Sequence, residues 1–281
     1  TIIGKDYSPS DILGYHRVNA AETYEVSSDD TYRTGDALMA RLFYSFKNTY
    51  MITASVRRDG YSAFGINNPR ATFPAVALAW TFSNEKFLKG AQWLNYGKLR
   101  FSWGVNGNRD IGQYKALSNM TASKHAFINQ QGSPYVTTQI YVSSMANKDL
   151  QWERTEAFKI GLDFAMFNNR INGSIEAYNS QTHDLLVSRS LPKITGYTNV
   201  TANLGKLANN GLEVTLNGDI VKGRDFTWNS GVTFSLNRRK ILSLYGDMTD
   251  VLDENGNVIG QKEVDDPSNN WFIGHDPDQI W

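Results

Sequence analysis

Asp253, Asn255 and Asn257 in "VLDENGNVIG" stand at alternate positions, like the first three oxygen donors of a helix-flanked calcium loop. That chemistry also needs a glycine where the loop turns sharply and a glutamate to complete the cage. Val258 occupies the glycine position and no glutamate follows at the required place, so the stretch reads as a two-stranded loop hairpin turning at Asn255-Gly256. His16, His125, His183 and His275 are far apart, have no metal-ligand spacing, and read as ordinary loop residues. The chain has no cysteine, which removes thiolate metal sites and disulfides. The acidic pair Asp265-Asp266 lies where solvated loops carry such residues. There is no phosphate-binding glycine loop, nucleophile elbow or zinc-protease helix. The expectation is therefore a protein that is not an enzyme, with no cofactor and no metal.

Composition narrows the partners. Lys plus Arg and Asp plus Glu each total 28 in 281 residues, so there is no general attraction to nucleic acid or anionic lipid, and any charge effect is local. The absence of cysteine suits passage through an oxidising compartment. No run of about 18 apolar residues marks a transmembrane helix, a test that does not detect barrel strands. "TIIGKDYSPSDILGYHRVNA" lacks a charged segment followed by an apolar one and a cleavage site, which leaves a protein that is not exported or an interior piece of a longer one.

The elements follow a period of two. In "RLFYSFKNTYMITASVRRDG" and the residues before it, Leu38, Ala40, Leu42, Tyr44 and Phe46 share one face, and Tyr50, Ile52, Ala54 and Val56 continue it after Lys47-Asn48. The same alternation recurs in "ATFPAVALAWTF", "GKLRFSWGV", "AFKIGLDFAMF", "RINGSIEAY", "GLEVTLNGDI" and "FTWNSGVTFSLN". About eight strands of roughly ten residues result, a length that suits a tilted bilayer crossing. The connections at Lys47-Asn48, Phe167 to Asn169 and Lys222 to Asp225 are tight, and "SNEKFLKGAQWLNY" is moderately longer. Those covering residues 59 to 70, 107 to 152, 181 to 206 and the stretch after 237 are long and rich in Gly, Asn, Ser and Asp. Short and long connections in strict alternation predict an all-β fold: part of a large antiparallel up-and-down transmembrane barrel, with short periplasmic turns and long extracellular loops. Aromatics near the short turns, among them Tyr44, Tyr50, Trp93 and Trp228, would form an interfacial girdle. The competing expectation is a soluble β-sandwich carbohydrate-binding module, in which Leu78, Leu99, Ile160 and Val232 pack on a second sheet instead of facing lipid.

At "YMITASVRRDGYSAFGINNPRATFPAVALAWTFSNEKFL" and "WLNYGKLRFSWGVNGNRDIGQY" the sequence resembles the barrel of SusC/RagA-type TonB-dependent transporters of Bacteroidota outer membranes. "DLQWERTEAFKIGLDFAMFNNRINGSIEAYNSQTHDLL", "LPKITGYTN", "NLGKLANNGLEVTL" and "FTWNSGVTFSLNRRKILSL" follow the same pattern in the same order, over about residues 30 to 245. The resemblance implies integral outer-membrane location and import of oligosaccharides, ahead of peptides, with a SusD-like surface lipoprotein. It also implies energy from TonB through a plug domain that this stretch does not contain, and a closed barrel of about 22 strands. Residues 1 to 281 are thus expected to be one partial barrel without plug or TonB box.

Sugars are held by rings and planar polar groups. In the 107 to 152 loop and just before it, the substrate-binding candidates are Tyr114, Phe127, Tyr135 and Tyr141 with Asn106, Asn108, Arg109 and Asp110. "GVNGNRDIG" also matches a family block, so loop shaping competes with recognition there. The lumen-facing charges are expected to be Arg41, Arg57, Arg58, Asp59, Lys98, Arg100, Lys159, Asp163, Glu176 and Glu213, the arginines serving as salt-bridge partners of plug or loops.

Overall fold

The computed structural model describes residues 2–7, 21–26, 30–197 and 199–279, and it divides into the units Thr1–Arg33 and Thr34–Trp281. His16 lies outside the described residues. In the first unit, β1 (Ile2–Tyr7) and β2 (Ala21–Val26) form an antiparallel pair with Ile2 opposite Val26.

The second unit is built on a single meander. Its strands are β3 (Gly35–Phe46), β4 (Tyr50–Tyr61), β5 (Arg70–Trp80), β6 (Leu94–Asn108), β7 (Asn119–Ile128), β8 (Pro134–Ser144), β9 (Glu153–Met166) and β10 (Ile171–His183). Then come β11 (Leu186–Ser190), β12 (Asn199–Asn203), β13 (Lys206–Lys222), β14 (Thr227–Ser243), β15 (Met248–Leu252) and β16 (Val258–Glu263). Eight of these make one antiparallel sheet in the order β3-β4-β5-β6-β9-β10-β13-β14, so each strand lies beside its predecessor within the sheet. The pairs β7–β8, β11–β12 and β15–β16 are hairpins within the long connections. The first two give secondary structure to stretches expected only to be loops. The last turns around Asn255-Gly256 as anticipated, with Asp253 Oδ1 accepting the backbone N–H groups of Asn255 and Asn257, each at 2.8 Å. The Asn257 side chain, helped by that backbone, holds the Asp253 carboxyl below its ordinary range.

Turn chemistry fixes the tight ends. Lys47 and Asn48 both adopt positive φ, 52° and 51°, and Thr49 N–H closes the turn on the Phe46 carbonyl at 3.0 Å. Two successive left-handed residues give the backbone twist that lets short hairpins match twisted strands. Phe167, Asn168 and Asn169 do the same between β9 and β10.

Register carries the faces across the whole sheet. Ile52, Leu78, Phe101, Ile160, Ala177, Leu212 and Leu236 form one continuous row from β4 to β14, and Tyr50, Trp80, Leu99, Leu162, Ile175, Val214 and Phe234 the next. These side chains stay in contact with the surroundings: Leu78 is 44%, Leu99 37%, Ile160 45% and Val232 65% exposed. Among the described residues no second sheet packs on this face, which corrects the sandwich alternative. An apolar face of this extent without a covering layer is stable against lipid and not against water.

The buried core lies at the long-connection end. Leu150 and Trp152 are 0% and 2% exposed, with Phe64 and Phe73 at ring-centroid distances of 4.8 and 5.5 Å from Trp152. The ladder between β5 and β6 stops at Ala75 and Gly104, and beyond it the Phe73 ring rests on Gly107, where a Cβ would lie 2.1 Å from the ring. Gly65 donates its N–H to the Leu150 carbonyl at 2.8 Å, with the Lys148 carbonyl 2.0 Å from where its Cβ would be. The connections after β4 and before β9 are thus fastened together, giving the rim of the sheet a fixed shape.

Candidate ligand-facing wall

The face opposite the apolar rows is built from small and polar residues. One row runs Phe43, Thr53, Ala77, Ser102, Lys159, Tyr178, Gly211 and Asn237, and the next Ser45, Met51, Ala79, Arg100, Gly161, Glu176, Glu213 and Ser235. Side chains of alanine and glycine leave room above them for the long cations of their neighbours. At Gly161 a Cβ would lie 2.9 Å from the Arg100 guanidinium, so glycine lets that group lie flat across the strand.

Arg100 organises the charges. Its Nε and Nη2 donate to the two oxygens of Asp163 at 2.8 and 2.9 Å, and its Nη1 donates to Glu176 at 3.3 Å. Lys159 Nζ reaches the other Glu176 oxygen at 3.2 Å and stands 5.6 Å over the Tyr178 ring, whose hydroxyl donates to Asn237 at 2.9 Å. The fork geometry of arginine makes the Asp163 contact bidentate, which fixes direction as well as charge. Glu213 lies directly opposite Glu176. Like charges so placed repel, and Arg100 and Lys159 offset the Glu176 charge. Arg41, Lys98 and Glu213 share this face and have no ion-pair partner among the described residues. The groove around Lys98, Arg100, Lys159 and Glu176 measures about 430 Å³.

A second concavity, about 470 Å³, lies nearer the buried core and gathers Arg57, Asp59, Asn106, Arg109, Phe73 and Trp152. Arg57 and Asp59 form an ion pair at 2.6 Å, with Asp59 8% exposed, while the Arg109 guanidinium stacks 5.1 Å over the Tyr61 ring. Asn108 donates to Glu153 at 3.4 Å and accepts the backbone N–H of Asp110 at 3.1 Å, so this stretch holds its own loop shape. Trp152 and Tyr61 were not singled out in the sequence. Trp152 precedes its strand without a periodic signal, and its partners come from three places: Tyr61 at the end of β4, Phe64 in the connection after it and Phe73 in β5.

Arg58 is a correction. Adjacent strand residues point to opposite faces, and Arg58, opposite Leu38 and Thr72, shares the face of Val56 and Ile52. It therefore does not join the charges of the polar wall. The loop aromatics are brought together only in part. Phe127, opposite Tyr135, has a ring centroid 5.9 Å away from it and 6.4 Å from His125, and Tyr141 lies on the same face of the β7–β8 hairpin. Phe127, Tyr135 and Tyr141 are 45%, 49% and 44% exposed. Tyr114 sits apart in the connection before β7, half-buried with φ 58°. No group of three or more acidic or histidine side chains is placed to hold a metal ion among the described residues.

Comparison with known proteins accounts for this construction. The family model described as "TonB dependent receptor-like, beta-barrel" matches residues 2–278. The TonB-dependent receptor SusC of Bacteroides thetaiotaomicron is 34% identical over 247 residues, covering 86% of this chain and 24% of that protein. The TonB-dependent receptor P39 of Formosa agariphila is 34% identical over 233 residues, covering 83% and 22%. Among solved structures, the RagAB peptide transporter superimposes with a TM-score of 0.73 at 26% identity, covering 92% of this chain and 26% of that one. The chain thus spans about a quarter of the length of the relatives it matches. The bare apolar face, the polar wall opposite it and the family match have one explanation: the chain belongs to the TonB-dependent receptor family of outer-membrane β-barrels, as a segment of the barrel and not an enzyme.

Proposed function

We propose that this segment walls the channel of a TonB-dependent importer of oligosaccharides. In this reading a SusD-like surface lipoprotein closes over the long-loop end, and TonB acts through the plug domain of the whole transporter. The observation that carries it is the two-faced sheet: apolar rows turned to lipid, and a polar wall on which Arg41, Lys98 and Glu213 remain free to meet whatever fills the lumen. Exposed rings on the β7–β8 hairpin suit sugar stacking. A peptide cargo is the second reading, favoured by the structural likeness to a protein titled a peptide transporter.

Uptake assays separate the two. A strain lacking the full-length receptor is complemented with wild-type protein or with the Phe127→Ala, Tyr135→Ala double variant, and import of labelled oligosaccharides and of labelled peptides is measured. The glycan reading expects import of oligosaccharide only, reduced on the order of tenfold by the double variant, as loss of aromatic anchors costs more than about 1 kcal/mol. Import of peptides alone would transfer the assignment to the second reading.

A further inference from the structure

We propose that the apolar face of β9, β10, β13 and β14 carries, just beyond its apolar rows, a binding site for the phosphorylated headgroup of an outer-leaflet glycolipid. Moving from the short turns toward the long connections, the last wholly apolar row on these strands is Ile160, Ala177, Leu212 and Leu236. The next is Phe158, Asn179, Asn210 and Arg238, followed by Glu156, Gln181, Ala208 and Lys240. The row beyond is Arg154, His183 and Lys206. Rows on one face are about 6.8 Å apart and neighbouring strands about 4.8 Å, so four cations and three amides occupy one headgroup-sized patch.

Arg154, Lys206, Arg238 and Lys240 are exposed, and none has an ion-pair partner among the described residues. The acid among them, Glu156, accepts the Trp103 indole N–H at 2.6 Å. The contrast lies between neighbours on β14. Arg239 points to the other face and is held by Asp276 at 3.1 Å and by Asp278, whereas Arg238 and Lys240 on either side of it have no such acids. Among the described residues, Arg239 thus has counter-ions from within the chain on its face of β14, and Arg238 and Lys240 have none on theirs. Cations at a membrane boundary attract anionic headgroups by about 1 kcal/mol each. Asn179, Asn210 and Gln181 are exposed and suited to the hydroxyl groups of a sugar.

Two features select a lipid-borne glycan phosphate. The patch adjoins rows that already face acyl chains, so a tethered ligand binds with its chains in place. It also lies toward the long connections, the extracellular end of such barrels, where phosphorylated glycolipid forms the leaflet.

The test uses the full-length receptor purified in neutral detergent. Diphosphorylated lipid A, its dephosphorylated form, phosphatidylglycerol and inorganic phosphate are each titrated by native mass spectrometry. Wild type and the K206Q/R238Q/K240Q variant are compared, with K206R/R238K/K240R as the charge-keeping control, and heat-modifiable mobility reports folding of each. The expectation is binding of diphosphorylated lipid A that is on the order of 100-fold weaker in the glutamine variant, retained in the charge-keeping variant, and at least about tenfold stronger than for the other three probes. Equal binding of the dephosphorylated form, or equal affinity for phosphatidylglycerol or inorganic phosphate, overturns the proposal. So does unchanged lipid A binding by a folded glutamine variant.

Discussion

At the scale of single residues, the polar wall depends on Arg100. It neutralises Asp163 and shares Glu176 with Lys159, so its removal leaves one carboxylate without a partner and a second with half of its own. Because these side chains are partly solvated, the loss is screened. Arg100→Ala is expected to lower barrel stability by about 1–2 kcal/mol, read as a shift of the urea midpoint of the full-length protein, with Arg100→Lys falling between. No shift in the alanine variant would remove the network from the account of wall stability. A second residue-scale prediction concerns the connection after β14. There burial, and then the hydrogen bond Tyr245 donates to Asp266 at 2.7 Å, push the Tyr245 hydroxyl up to about 12. Burial opposes ionisation of Asp266, but hydrogen bonds from Ser268, Tyr245 and Asn269 outweigh it and bring its carboxyl down to about 2 from 3.8. A lowered carboxyl contributes stability that is complete above its unfolded value and is lost as pH falls through the folded one. A raised phenol contributes stability that is complete below 10 and is lost as pH rises through about 12. Amide protection in residues 243–279, corrected for the intrinsic exchange rate, should therefore fall between about pH 4 and 2, and the Asp266→Asn variant should lose that acid step. Tyr245→Phe should abolish the alkaline one. The shared face of Arg41, Arg57, Lys98, Arg100, Lys159, Asp163, Glu176 and Glu213 follows from parity alone. Arg58 was misplaced because its charge, and not its position in the alternation, decided its side.

At the scale of elements, period two was sufficient for the eight strands of the main sheet. Leu162 and Asp163 are neighbours, yet register puts the first in a lipid-facing row and the second beneath Arg100. Leu162→Arg is expected to cost about 2–4 kcal/mol if the residue is near the bilayer midplane, measured as assembly yield of the heat-modifiable form. An unchanged yield would contradict the assigned face. The eight sheet strands and their tight turns could be read because each depends on local signals: alternation, and residues such as Asn48 and Asn168 that tolerate positive φ. The hairpins β7–β8 and β11–β12 were not readable. Their sequences are polar or mixed, and pairing in them arises from closure of a long connection. The strands β13 and β14 also run to 17 residues each, beyond the bilayer crossing that alternation measures. The Trp152 core escaped for the same reason, since Phe64 and Leu150 come from connections with no shared period and Phe73 lies in β5 beyond its ladder to β6.

At the scale of the whole molecule, the sheet has an unresolved requirement at each side. Each interior strand is paired along both edges, but β3 and β14 are each paired along one edge only within the eight-stranded sheet. In hydrocarbon an unpaired strand edge leaves backbone N–H and C=O groups without partners, at several kcal/mol for each group. The apolar rows forbid the alternative of remaining in water, because a face of that size aggregates. The eight-stranded sheet therefore needs strands that continue the ladder from β3 and from β14, which agrees with relatives about four times as long. Refolded alone into detergent or vesicles, the chain is expected to show strand-rich circular dichroism without heat-modifiable mobility and to associate through its edges in a concentration-dependent way. The same residues within the full-length receptor should give a monomeric, heat-modifiable barrel. A discrete heat-modifiable monomer from the 281 residues alone would mean that eight strands close on themselves, joining β3 to β14. In such a small barrel side chains fill the interior, so the charged wall around Arg100 would then belong to a packed core and not to a lumen.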